Sequence, residues 1–253
     1  MVFIHGMACS GLQWRGTLAA LATDYTAMAV DLPGFGLSKQ LAPAFPELAD
    51  AVVEGARAHG HHQFAVVGHS FGGLVAQDLA ARYREAVTGL VLVASLGGAH
   101  RERMGLGRRI SRMPWVSPVV LWVVRTLAWQ RVLEHAVYRR DALPDGVVHE
   151  LLWSARHARA MRHGGALVPG SPPVLSLSRS PLLIWGEHDR VVPLAQGMDL
   201  LRRTGGRLEV IPGCGHLPML EAPDAFHQLL RDYLSGNPGP SWTGGPASPG
   251  VSQ

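Results

Sequence analysis

The chain is poor in cysteine: among its 253 residues only Cys9 and Cys214 occur. Two thiols do not build a disulfide scaffold. No charge-free apolar run is long enough to span a bilayer, so no transmembrane helix is expected. The opening Met1-Val2-Phe3-Ile4-His5-Gly6 has neither the charged start nor the cleavage site of a secretory signal. These absences point to a reduced, cytoplasmic protein. Charged residues are also sparse, at 17% against 47% hydrophobic, which leaves ample material for a buried core. The length suits one large α/β domain with a small insertion. The 30 glycines and 18 prolines imply many tight turns without reaching a disordered composition.

The formal net charge of +4 is unevenly placed. Residues 98–178 hold twelve arginines against five acids, so this stretch carries the whole basic character of the chain. It also holds Trp115, Trp122, Trp129 and Trp153, with Val119, Val120, Val123, Val124 and Leu127 at helical spacing. The reading is a helical cap over 98–178 inserted into a core of 1–97 and 179–235. The Gly/Pro/Ser-rich tail, 236–253, is expected to be disordered.

Outside that insertion, short apolar runs end at Gly, Pro or a polar residue. They cover 2–4, 26–30, 64–67, 90–93 and 182–185, and a sixth, 208–211, mixes in Glu209. Runs without alternation read as strands of a parallel sheet covered on both faces. Helical patterns over 11–21, 45–58, 72–84, 196–203 and 225–234 lie between them. Alternating strands and helices predict an α/β fold with a doubly wound, mostly parallel sheet.

Gly68-His69-Ser70-Phe71-Gly72-Gly73 follows the third strand and opens a helix. That is the context a Gly-x-Ser-x-Gly nucleophile turn requires. The serine must stand clear of the sheet on a sharp turn, so residues two positions away must be small. Ser70 is the candidate nucleophile, and the new helix points free N–H groups at the site. After the first strand comes His5-Gly6-Met7. An acyl-transfer site needs preorganised donors for its oxyanion, each worth about 3 kcal/mol. The candidate donors are the backbone N–H groups of Met7 and Phe71. His5 reads as a structural histidine that pins the loop, and Cys9 as a packing residue.

A carboxylate at the end of the strand over 182–185 is placed to orient an imidazole. Asp189 is the candidate, with Glu187 as competitor and His188 read as exposed. His216, on the turn Pro212-Gly213-Cys214-Gly215-His216-Leu217-Pro218, is the candidate general base. His59, His61 and His62 cluster without convergent ligands, so no metal is expected.

These segments resemble the α/β-hydrolase superfamily in its capped branch. The resemblance rests on His5-Gly6-Met7, Asp31-Leu32-Pro33-Gly34-Phe35-Gly36-Leu37-Ser38, Gly68 to Gly73, Gly186 to Asp189, and Gly215-His216 followed by Leu220-Glu221-Ala222-Pro223. It spans roughly 2–234. It implies a helix-flanked sheet, a cap between its sixth and seventh strands, and no cofactor. Members of that superfamily carry two further strands ahead of the His-Gly strand. Either an edge hairpin is missing here or the true start lies upstream. The triad order Ser70, Asp189, His216 is that of the superfamily.

The expectation is a serine hydrolase that cleaves a small-molecule carboxylic ester or thioester through an acyl-enzyme. Hydrolysis of a C–C bond in a vinylogous diketone and haloperoxidase-like perhydrolysis stay open on the same triad. A ligand-binding member without catalysis and a surface-bound enzyme docking 114–140 on lipid are the rival classes. The expected partner is an acyl substrate, with an acidic carrier protein or an anionic surface as the arginines' further targets. No nucleic-acid partner is expected.

Overall fold

The computed structural model describes residues 1–38, 45–97, 131, 134–160 and 179–236. Six strands form one sheet: β1 (Val2–Ile4), β2 (Met28–Val30), β3 (Phe64–His69), β4 (Val87–Val93), β5 (Leu182–Gly186) and β6 (Arg207–Ile211). Their order is β2-β1-β3-β4-β5-β6, and every pairing is parallel. β1 lies one strand in from the edge; the chain steps outward to β2, then returns past β1 to β3 and continues the other way. The reversal between β1 and β3 leaves a crevice at the strands' carboxyl ends, where α/β sheets bind ligands.

The strand side chains split by alternation between two cores. Leu183 and Trp185 join one layer, while Leu182 and Ile184 join the other. The first layer packs α2 (Phe45–Ala58), α3 (Phe71–Arg82) and α5 (Leu194–Thr204) on the sheet. The second packs α1 (Arg15–Leu21) and α7 (Pro223–Ser235) on the opposite face through Leu21, Phe226 and Leu230. Helices on both faces explain why the inner strands are mostly apolar and buried: all six residues of β3 are buried, whereas the edge strand β6 carries Arg207 and Glu209.

The expected strands are all present, with shifted bounds. β4 starts at Val87, ahead of Gly89, across a register shift at Phe64/Ala65. Glycine weakens a strand signal, and here it makes room for the Tyr233 ring. The helix expected over 11–21 is a 3₁₀ turn, Gly11–Trp14, followed by α1. A short helix, α6 (Pro218–Glu221), precedes α7, and a proline begins each.

Of the expected cap, the described part holds a 3₁₀ turn, Arg140–Ala142, and α4 (Val147–His157). It touches the core through a buried Ser10–Ser154 hydroxyl pair at 2.8 Å, an Arg15–Glu150 ion pair and an Ala160 N–H donated to the Gly34 carbonyl. Trp115, Trp122, Trp129 and the valine run lie outside the described residues, as does the tail beyond Gly236. Among the described residues no helix is long and apolar enough to cross a membrane.

Candidate active site

Among the described residues, three non-glycine residues have positive φ: Ala8 (58°), Ser70 (52°) and Ala94 (44°). They sit just beyond the ends of β1, β3 and β4, neighbouring strands around the crevice. Such conformations cost about 1–3 kcal/mol each and persist only where surrounding structure enforces them. At Ser70 the enforcement is visible. Its N–H donates to the Val93 carbonyl at 2.9 Å, and its own carbonyl accepts from Gly73 and Leu96. A Cβ on Gly68 would lie 2.7 Å from Gly73 Cα, and one on Gly72 would lie 2.5 Å from the Ile4 carbonyl. Both contacts are with backbone, which cannot swing away. The glycines therefore let the turn close on itself and let α3 start against the end of β1.

That approach places the β1 loop beside the elbow. Neither the Met7 nor the Phe71 N–H has an acceptor among the described residues. His5 is buried, and burial lowers its pKa below the ordinary 6.5. In one neutral tautomer its Nδ1–H donates to the Gly6 carbonyl at 2.8 Å, and its Nε2 accepts the Leu32 N–H at 3.1 Å. This is the pinning role expected of it, extended to the loop at 31–38. Asp31 holds the same loop by accepting the Gly11 and Leu37 N–H groups, each at 2.7 Å. Burial pushes the Cys9 thiol up to about 12, so it stays protonated at neutral pH and is a poor nucleophile.

The structure brings Asp189 and His216 together. Asp189 Oδ2 accepts from His216 Nδ1 at 2.7 Å, and both side chains are buried. Asp189 Oδ1 accepts the N–H groups of Val191 and Val192, each at 2.9 Å, so both carboxylate oxygens are fixed. The competitor Glu187 is half-exposed and instead accepts the Gly213 N–H. His188 is only partly exposed, because its ring lies 4.0 Å from that of Tyr138. No hydrogen bond joins the Ser70 hydroxyl to His216 among the described residues. Contacts of this kind commonly tighten when substrate binds.

Sequence reasoning missed two residues of this site. His69 is buried with its ring 4.7 Å from that of His216. Its pKa is lowered well below 6.5, first by burial and then by His216, so it is neutral. Its Nε2–H donates to the His216 carbonyl at 2.9 Å. Its place beside Ser70 was the available signal. Glu221, also buried, accepts the N–H groups of Gly215 and Leu217 on either side of His216. Glu221 stands five residues from His216 in the Leu220–Pro223 segment that carries the family resemblance, but that segment alone does not show which groups its carboxylate holds.

Fold and site together define a doubly wound α/β protein with a strained serine beyond the end of β3 and a buried imidazole–carboxylate pair. The chain belongs to the alpha/beta hydrolase family, whose model matches residues 1–229. It is 28% identical to the dihydrolipoyllysine-residue acetyltransferase component of the acetoin cleaving system of Cupriavidus necator, over 93% of this chain. It spans 63% of that relative's length. It is also 28% identical to a 2-hydroxymuconate semialdehyde hydrolase from a Pseudomonas species, covering 93% of this chain and 86% of the relative. A meta-cleavage product hydrolase from Pseudomonas fluorescens shares the fold, with a TM-score of 0.74, 24% identity and coverage of 93% of this chain and 90% of that one.

Proposed function

We propose that the protein is a serine hydrolase acting on a small-molecule carboxylic ester or thioester. The observation that carries this reading is the buried 2.7 Å contact between Asp189 and His216 Nδ1, the His216 ring lying 4.7 Å from that of His69, the residue before the strained Ser70. With Nδ1–H donated to Asp189, His216 Nε2 is the unprotonated nitrogen and acts as general base. It takes the Ser70 hydroxyl proton as Oγ attacks the acyl carbon. The N–H groups of Met7 and Phe71 hold the oxyanion. His216 then gives its proton to the leaving oxygen or sulfur. Water, deprotonated by the same nitrogen, cleaves the acyl-enzyme and regenerates Ser70.

A second reading has one observation in its favour: the relative named as a 2-hydroxymuconate semialdehyde hydrolase. On that reading the same triad hydrolyses a C–C bond next to a carbonyl. Parallel assays with short acyl esters, acyl thioesters and a vinylogous diketone separate the two readings by their kcat/KM.

The test of the serine itself is intact mass after exposure to a fluorophosphonate. Wild type is expected to gain one adduct and Ser70→Ala none. A folded wild type without adduct would sink the reading and favour a ligand-binding protein.

A further inference from the structure

We infer that Glu221 is a positioning residue for the His216 imidazole; its effect on turnover rests on the serine-hydrolase reading. Glu221 is 2% exposed and forms no ion pair among the described residues. A buried carboxylate without partners costs several kcal/mol. This one is held by four main-chain N–H groups. Oε2 accepts from Tyr138 at 2.7 Å, Arg139 at 3.0 Å and Gly215 at 3.1 Å. Oε1 accepts from Leu217 at 3.1 Å.

The donors come from two stretches far apart in sequence. Gly215 and Leu217 flank the base, whereas Tyr138 and Arg139 belong to the segment leading into α4. Between them, the His216 N–H donates to the Ala136 carbonyl at 2.6 Å. Every N–H from 215 to 217 is thus bonded, and His69 holds the His216 carbonyl. Gly215 lets the stretches meet: a Cβ there would lie 2.5 Å from the Ala136 carbonyl and 2.8 Å from the Tyr138 nitrogen. The His216 backbone cannot pivot without breaking one of these bonds. The imidazole must meet Asp189 with one nitrogen and Ser70 with the other, so a small pivot costs alignment at both. A misplacement of about 1 Å costs on the order of a hundredfold in rate.

Glutamine tests the carboxylate specifically. Its single oxygen satisfies the three amides at Oε2 only by turning its NH₂ against the Leu217 N–H, next to the base. Three proteins labelled with ¹⁵N-histidine are compared by NMR: wild type, Glu221→Gln and Tyr233→Phe. The last loses a hydroxyl bonded to Leu90 N–H and the Ser180 carbonyl, away from the site. Glu221→Asp, which keeps the charge but is one methylene short, serves if the glutamine variant does not fold. Wild type is expected to show the His216 Nδ1–H proton, assigned by its loss in His216→Gln. The Glu221 variants are expected to broaden or lose it, with kcat down roughly 10–100-fold and KM within about threefold. Tyr233→Phe is expected to lose stability but keep both signal and rate. A Glu221 variant that melts lower yet keeps the wild-type proton signal and its titration overturns the inference and leaves Glu221 a purely structural anchor. The NMR result stands whether or not the fluorophosphonate labels Ser70, so failure of the hydrolase reading is seen separately.

Discussion

The serine's turn and the histidine's loop differ in where their restraints originate. Ser70 is held mainly by its own neighbourhood: glycines two residues away on each side, the helix that starts at Phe71, and the strand end beside it. His216 is held by residues 136, 189 and 69, none within twenty positions, and Glu221 alone is close in sequence. The first is a strained turn enforced by sterics. The second is a relaxed loop enforced by hydrogen bonds. Sterics tolerate no added atom, whereas a hydrogen-bonded loop fails by degrees.

The largest expected effect lies on the histidine side. Asp189→Asn keeps an oxygen for Val191 and Val192 but turns an NH₂ toward His216, forcing the wrong tautomer. A kcat loss on the order of 10⁴ with little change in melting is expected from steady-state kinetics and calorimetry. On the serine side, Gly68→Ala drives a Cβ into Gly72 and Gly73 backbone. A loss of about 3 kcal/mol in a urea titration is expected, with activity falling as the turn opens. An unchanged midpoint would show that the elbow is softer than its contacts imply. Gly215→Ala presses on the Ala136 carbonyl and the Tyr138 nitrogen, at 2.5 and 2.8 Å, on a segment tied to this loop by hydrogen bonds. A smaller loss, about 1–2 kcal/mol, is expected, with a proportionally larger fall in kcat.

Acid reads both sides together. His5, His69 and His227 have pKa values below 6.5, burial being the first cause for each. As pH falls through about 6.5 the unfolded chain binds protons that the folded chain refuses, so stability is full above that value and drains below it. The melting temperature is expected to drop between pH 7 and pH 5, and a flat profile would mean that these rings accept protons in place. Asp78 and Glu209 have raised pKa values, again mainly from burial, and act with the opposite sign, in the carboxylate range. The smallest expected change is Ser154→Ala, which removes a neutral hydrogen bond to Ser10 and one donated back to the Glu150 carbonyl within α4, together worth about 1 kcal/mol of melting stability, without touching either anchor.

The same contrast decides what was legible in the sequence. Apolar runs announced five strands, because a parallel sheet covered on both faces leaves no alternation to confuse, and the sixth was legible at the edge despite Glu209. Gly89 hid the start of β4, since a glycine inside a strand reads as a break. The elbow was legible because its demands are local. Asp189 and Glu187 were separable only by weighing, since both follow β5; the fold sends one to His216 and the other to Gly213. Glu221 and His69 were not legible as parts of the site, since their meaning lies in bonds to residues 83 and 147 positions away.

The pairing of β4 with β5 joins Val93 to Ile184 across everything between them in the chain, the expected cap included. Closing a loop of roughly ninety residues costs only about 0.6 kcal/mol more than closing one half as long. Insert length therefore weighs lightly on equilibrium stability and heavily on rate, because distant contacts must wait for closure. Ser70 lies before that closure along the chain, and Asp189 and His216 lie after it. On the reading of Ser70 and His216 proposed above, fluorophosphonate labelling is expected to lag the recovery of sheet structure during refolding. Stopped-flow circular dichroism run beside timed fluorophosphonate quenching would measure that lag directly.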